Sequence, residues 1–236
     1  MPPIILHSNW NQRPSDFEKT VEPLRKYFFI CEGANTESFY FKKLISIKKE
    51  IGIHSLIDLV FIEKTEEDKD ISYPQNLVNF AKNERDKLIE LGKFEKNRDF
   101  MIITFDLDIF KNKVKNLDEL LIQQDEHLIF GIAYPSFELF LLLHIDNSLN
   151  DIILPNKSII ITNEKIGSQR PCQVFLREAT GKNSKTNDTI GDLAYHIDTA
   201  IYQEKLINQQ TCKCLEEVTS NIALIIEKIK NEKFPF

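Results

Sequence analysis

Three short stretches of this chain end or interrupt apolar runs with carboxylates. In "FFICEGANTESFYFKKL" (28–44) the apolar residues run into Cys31 and stop at Glu32-Gly33, and Glu37 follows where a helical pattern begins. In "ITFDLDIF" (103–110) Asp106 and Asp108 flank one leucine, and in "YPSFELFLLLHI" (134–145) Glu138 breaks an apolar run. A carboxylate inside such a run needs a partner or a route to water. Grouped carboxylates offer a chemistry: Mg²⁺ takes hard oxygen ligands, commonly one or two carboxylates, with water and phosphate completing its shell. In D-x-D the alternate side chains of an extended segment share a direction, so Asp106 and Asp108 are expected to face one ion. Two such ions about 4 Å apart hold the attacking and leaving oxygens of a phosphodiester hydrolysis. Gly33 is expected to allow a tight turn and the close approach of a phosphate. Each motif also has a plainer reading, as a turn, a strand-end cap or an acid suited to a helix N-terminus. Their joint occurrence points to a metal.

The elements that would position these acids follow from periodicity. "YFFIC", "LIDLVFI", "DFMIITFD" and "HLIFGIAY" read as short strands. Between them lie helical patterns over 36–50, from Pro74 to Leu91 and over "NLDELLIQQDE", and another starts at "PSFELFLLLH". Strands alternating with helices across 26–146 imply an α/β fold, a parallel sheet of about four strands flanked by helices. In such a sheet, ligands bind at the carboxyl ends of the strands, where three of the four place acids. Residues 1–25 read as a loosely ordered lead-in, and "EKTEEDKD" (63–70) as a solvated loop. Residues 147–236 read as a mainly helical C-terminal cap. It has short strand or loop elements after Asn147 and helices near 171–179, 189–208 and 214–231.

Seventeen phenylalanines and 42% hydrophobic residues in 236 supply a real core. A formal net charge of −6 argues against a generally basic nucleic-acid binder. It leaves room for an enzyme whose site is acidic because it holds metal. No leader and no apolar stretch of spanning length is evident. Cys31, Cys172, Cys212 and Cys214 form no C-x-x-C pair, so reduced thiols in a cytoplasmic protein, without membrane contact, are expected. His144, alone at the end of an apolar run, reads as structural, and Phe39, Tyr40 and Phe41 as core. Arg170, Arg177, Lys182 and Lys185, around "TGKNSKTND", could line a nucleic-acid rim or simply a solvated loop. No phosphate-binding glycine loop of the ATPase type is present.

"CEGANTESFYFKKL", "ITFDLDIF" and "YPSFELFLLLHI", in this order and spacing, resemble the RloB/AbiLii family of Toprim-fold proteins. These sit in bacterial restriction-modification and abortive-infection loci, often beside an ABC-type ATPase. The resemblance extends over about 26–205, including "GKNSKTND" and the helix after it. It implies a Toprim-like (Rossmann-like) sheet. Glu32 would be the general acid or base, Asp106 and Asp108 ligands of Mg²⁺ or Mn²⁺, and Glu37 and Glu138 the further acids of the pocket. Ala34 stands where many relatives carry another acid. The expectation is a Mg²⁺-dependent nuclease cleaving DNA or RNA, tRNA among the options, as the toxic effector of an anti-phage system. The alternative is a non-catalytic docking or regulatory subunit of an ATPase-containing defence complex. A homodimer is expected on functional grounds alone, since a double-strand break or a folded RNA favours two sites.

Overall fold

A computed structural model describes residues 23–64, 73–112, 116–209 and 214–234. Most of the lead-in, the charged loop beyond Lys64, and Cys212 lie outside the described residues. The chain opens with β1 (Arg25–Cys31), α1 (Thr36–Ser46), β2 (Ile57–Phe61) and α2 (Pro74–Glu90). Next come β3 (Phe100–Asp106), α3 (Asp108–Asn112), α4 (Leu117–Leu121), β4 (Leu128–Tyr134) and α5 (Phe137–Leu142). A π-helical turn (Leu149–Ile153), α6 (Lys157–Thr162) and α7 (Pro171–Thr180) lead to a 3₁₀ segment (Asp188–His196). The chain then forms α8 (Ile197–Glu204), β5 (Thr219–Ser220) and α9 (Ile222–Lys230).

The sheet runs β2-β1-β3-β4-β5. Its first four strands are parallel, as expected, and the short β5 adds an antiparallel edge. Parallel neighbours need long crossovers, and here helices supply them on both faces. Alternation along β1 sorts the layers. Tyr27, Phe29 and Cys31 share a core with α1 and α5, while Phe28 and Ile30 share one with α2 and α4. This is a Rossmann-like arrangement.

The C-terminal residues are built into the first of these cores. Cys172, Leu176, Ile190, Ala200 and the α9 isoleucines all pack there with Tyr40 and Phe41. Gly191 admits the 3₁₀ segment against α1, because a Cβ there would lie 2.5 Å from the Phe39 carbonyl oxygen. The buried Gln203 amide donates to Leu143 O and Ile145 O, both at 2.8 Å, and accepts from the Leu149 amide at 2.7 Å. Asn221 pairs with β4 as a strand residue would, accepting from Ile132 N and donating to Phe130 O. The stretch "NDIILPNKSIIIT" is helical where strand or loop was expected. Its β-branched residues favour strands weakly, and burial of Ile153 and Ile160 against the helical layer overrides that preference. The helix expected over 36–50 ends at Ser46, and that over 116–126 at Leu121.

His144 is structural, as expected. Its Nδ1 can only donate to Phe140 O at 3.0 Å, so Nε2 accepts from the Tyr40 hydroxyl at 2.9 Å. Burial holds its pKa down at about 3, leaving it neutral.

Glu204 is buried at the start of α9, where its carboxylate accepts from the Leu224 amide at 2.7 Å. Burial outweighs the Ser220 hydroxyl and the α9 backbone amides, and lifts its pKa to about 7. The folded state therefore binds a proton that the unfolded state has already lost. This stabilises the fold at low pH and is lost as pH rises from the ordinary carboxylate range through about 7. Glu204→Gln removes that dependence. In melts from pH 5 to 8, its stability relative to wild type should climb by on the order of 2–3 kcal/mol. A constant difference would show that Glu204 does not titrate in this window.

Candidate active site

The strand order turns back between β1 and β3, because the chain leaves β1 toward β2 on one flank and returns to β3 on the other. Loops departing in opposite directions leave a crevice at the carboxyl ends, the usual ligand position in open α/β sheets. Glu32 and Asp106 stand at that crevice. Parallel register sets Cys31 beside Thr104. The Glu32 amide donates to Thr104 O at 3.0 Å, and the Asp106 amide donates to Glu32 Oε2 at 3.2 Å. Asp106 follows Ile102 at period two, and Ile102 faces the α1–α5 layer. Its carboxylate accordingly reaches α5, where Oδ1 accepts from the Phe137 amide at 2.8 Å.

Asp108 corrects one expectation. It opens α3 and is not the second inward residue of one extended strand, so the D-x-D motif is divided between a strand end and a helix start. Asp106 turns to α5, while Asp108 Oδ2 accepts from Asn163 Nδ2 at 3.2 Å. The two remain close enough for the Asp108 charge to raise the Asp106 pKa.

Glu138 and Glu37 lie deeper. Glu138 is 1% exposed in the first turn of α5 and accepts from Ser136 Oγ (2.8 Å), Ser184 Oγ (3.2 Å) and Gln173 Nε2 (3.3 Å). Lys185 Nζ lies 3.2 Å from its Oε1. The segment carrying Ser184 and Lys185 is tied to the start of α1. Thr36 Oγ1 donates to Ser184 O, and Asn35 Nδ2 donates to Lys185 O, both at 3.0 Å. Glu37 is 5% exposed, and its Oε2 is buried without a hydrogen-bond partner.

The crowding shows in the proton affinities. Burial, then the charges of Glu37 and Asp108, push Glu32 up to about 7 despite the Asp106 amide. Burial and the charges of Glu37, Glu32, Glu138 and Asp108 raise Asp106 well above the carboxylate range. Glu37 is raised by burial and Glu138, against the pull of Lys185. Burial alone would raise Glu138 too, but Lys185 and Ser136 hold it below its ordinary value. The same acids raise Lys185 against its desolvation.

Among the described residues, no group of three or more His, Cys, Asp or Glu side chains is placed to hold a metal ion. The donor set fits a hard divalent cation in kind: carboxylate oxygens, mutually repelling, with a buried orphan acceptor on Glu37. Lys185 supplies one cation to the cluster already.

Gly33 has a packing role that its place in a turn did not suggest. Its φ is not in the left-handed region; what excludes a side chain is Glu37, whose Oε2 would lie 2.0 Å from an added Cβ. Gly33→Ala should displace the Glu37 carboxylate and weaken any binding of a divalent cation at these acids by roughly tenfold, read by calorimetric titration with Mn²⁺, with little change in melting temperature. Unchanged affinity would remove Glu37 from the working site.

The four basic residues that could line a rim or a solvated loop make separate contacts. Lys185 enters the acidic cluster, and Arg170 bonds the Asn163 carbonyl beside Asp108. Lys182 Nζ donates to Thr189 O at 2.9 Å, and Arg177, on α7, donates to Gln169 Oε1 at 3.5 Å. Sequence reading missed Asn163, Ser184, Gln173 and Lys64, the last donating to the Glu32 carbonyl. Nothing in their local sequence marks them, because each meets the acids only through tertiary packing.

Among the described residues no helix is long and apolar enough to cross a membrane. No curated protein and no solved structure matches the chain significantly. One family model does, that of the RloB-like protein, across residues 27–229. That span takes in β1 from Tyr27, the other three parallel strands and every acid of the crevice, and the chain belongs to the RloB-like protein family.

Proposed function

We propose that this protein is a metal-dependent phosphodiesterase acting on nucleic acid, a Toprim-type nuclease that serves as a toxic effector in bacterial anti-phage defence. The observation that carries the reading is the gathering of Glu32, Glu37, Asp106, Asp108 and Glu138 at one sheet edge, with Glu37 Oε2 buried and unpartnered. So much repelling charge costs stability, and a cation would relieve it.

Asp106 and Asp108, with Glu32 and Glu37, would hold Mg²⁺ or Mn²⁺, and Glu138 would complete the acidic pocket. When bound, the ion supplies Lewis-acid neutralisation of phosphate charge and a template for the attacking and leaving oxygens. The chain's own residues do the remainder. Glu32, at the end of β1 beside the ion, would accept the proton of the attacking water. The water oxygen would bond to phosphorus as its proton passes to Glu32, the bond to the leaving oxygen would break, and that oxygen would take a proton from solvent. Lys185 Nζ, half-exposed beside Glu138, faces the negative charge that develops on the phosphoryl oxygens. Glu138 holds that ammonium in place, and Ser136, Gln173 and Ser184 hold Glu138.

A second reading, a non-catalytic subunit docking to an ATPase, draws on the Lys185–Glu138 pair, which already neutralises part of the cluster. One experiment separates the two. Purified protein with Mg²⁺ or Mn²⁺ should cleave at least one of plasmid, single-stranded DNA and total RNA, and EDTA should abolish the cleavage. Intact substrates throughout, with and without a co-purified ATPase partner, would overturn the nuclease reading in favour of docking.

A further inference from the structure

Beside the acidic crevice, at the carboxyl ends of β1 and β2, lies an open cleft of about 170 Å³. Gly33, Ala34, Ser38, Lys42, Phe61 and Lys64 are among the residues that line it. The Phe61 ring stacks on Phe41, with centroids 6.5 Å apart and planes 16° from parallel, and Phe41 is fully buried. The exposed part of Phe61 therefore rests on a rigid support. Lys42 Nζ lies 5.9 Å from the Phe61 ring centroid. Lys64 donates to the carbonyl of Glu32, and Gly33 lines the cleft, so the cleft adjoins the segment that carries Glu32.

The volume decides what fits. Pockets for complete small molecules run to about 300–1,000 Å³, so this cleft suits one unit of a longer ligand. An aromatic ring and two ammonium groups lining one cleft match one nucleotide, with the base on the ring and the phosphate on the lysines. Lys42 pairs with Glu63 at 2.6 Å, but both side chains are more than half exposed, so exchanging the partner costs little. A base can lie on Phe61 only if it has left its own stack, which a paired duplex does not permit.

Resting on the proposed nuclease function, we infer that this cleft holds the nucleotide next to the cleaved phosphodiester of a single-stranded polynucleotide. Its base stacks on Phe61, and its phosphate lies between Lys42 and Lys64. The protein thereby takes single strands, loops or unpaired ends in preference to continuous duplex.

The test is fluorescence anisotropy with short labelled single-stranded DNA and RNA in EDTA, where binding is read without cleavage. Phe61→Leu keeps apolar bulk and removes the ring, Lys42→Gln removes a surface charge, and Lys96→Gln, at the other end of the sheet, is the control. Thermal melts confirm folding of each variant. The first two should weaken binding of single strands at least about fivefold, with the control unchanged and unlabelled duplex a poor competitor. No measurable binding by wild type, wild-type affinity in both cleft variants, or equal competition by duplex would each overturn the inference. A protein that binds single strands through Phe61 but never cleaves would remove the nuclease reading and leave the cleft. One that cleaves while both cleft variants bind normally would remove the cleft alone.

Discussion

On the proposed nuclease function, Asp106→Asn is expected to suppress metal-dependent strand cleavage while raising the thermal stability of the metal-free protein. The two effects share one cause. The Asp106 carboxylate is repelled by Glu37, Glu32, Glu138 and Asp108 in a desolvated crevice, and its pKa is raised well above the ordinary range. A raised carboxylate pKa means that the charged form costs folding free energy at neutral pH. Asparagine keeps the shape and the Oδ1 acceptor for the Phe137 amide at 2.8 Å, but brings no charge. The melting temperature should rise, by about 2–4 °C for each kcal/mol of relieved repulsion in a chain of this size. Cleavage should fall at least about a hundredfold, the scale of removing one pre-placed charge-stabilising group. Calorimetry in EDTA and the cleavage assay in Mg²⁺ check the two halves separately. A variant that melts lower and still cleaves would place the chemistry elsewhere.

Lys185→Met should act in the opposite sense on stability. Its ammonium is the cation that lets Glu138 ionise while 1% exposed, with Glu37 and Asp106 also in reach. Removing one partner of a buried pair leaves an uncompensated charge, a loss that reaches 3–5 kcal/mol in the driest sites. Here the lysine side chain is 50% exposed, so water screens part of the interaction and about 1–3 kcal/mol is expected. The informative measurement is the melting temperature with and without Mg²⁺. With the ammonium gone, a divalent cation becomes the remaining counter-charge, so added Mg²⁺ should stabilise the variant more than wild type. Equal melting temperatures in EDTA would show that the pair does not hold in solution. An equal Mg²⁺ response would show that Lys185 and the ion do not share the same acids.

How far the site could be read in advance depended on whether the relevant signal was local. Glu32, Asp106 and Glu138 were legible because strand ends and helix starts are encoded within a few residues. The apolar runs stop at these acids, and a parallel sheet aligns its carboxyl ends. The pairing of Asp106 with α5 was not legible. It depends on which face of β3 the side chain takes and on α5 packing there. The same holds for Lys185. In sequence it is one lysine of a polar loop, and only the bonds from Thr36 and Asn35 to its segment carry it into the acids.

By itself the sequence determined the order of the parallel strands' elements, the apolar faces that sort into two layers, and the strand ends on which acids fall. Period and punctuation are properties of neighbouring residues, and they survive without any tertiary context. The tertiary structure alone decided the rest: the helical state of "NDIILPNKSIIIT", the division of D-x-D between β3 and α3, the reason for Gly33, and the ammonium among the carboxylates. Each of these turns on contacts between residues far apart in the chain. There burial and charge repulsion amount to several kcal/mol and outweigh local preferences of a few tenths to about 1 kcal/mol per residue.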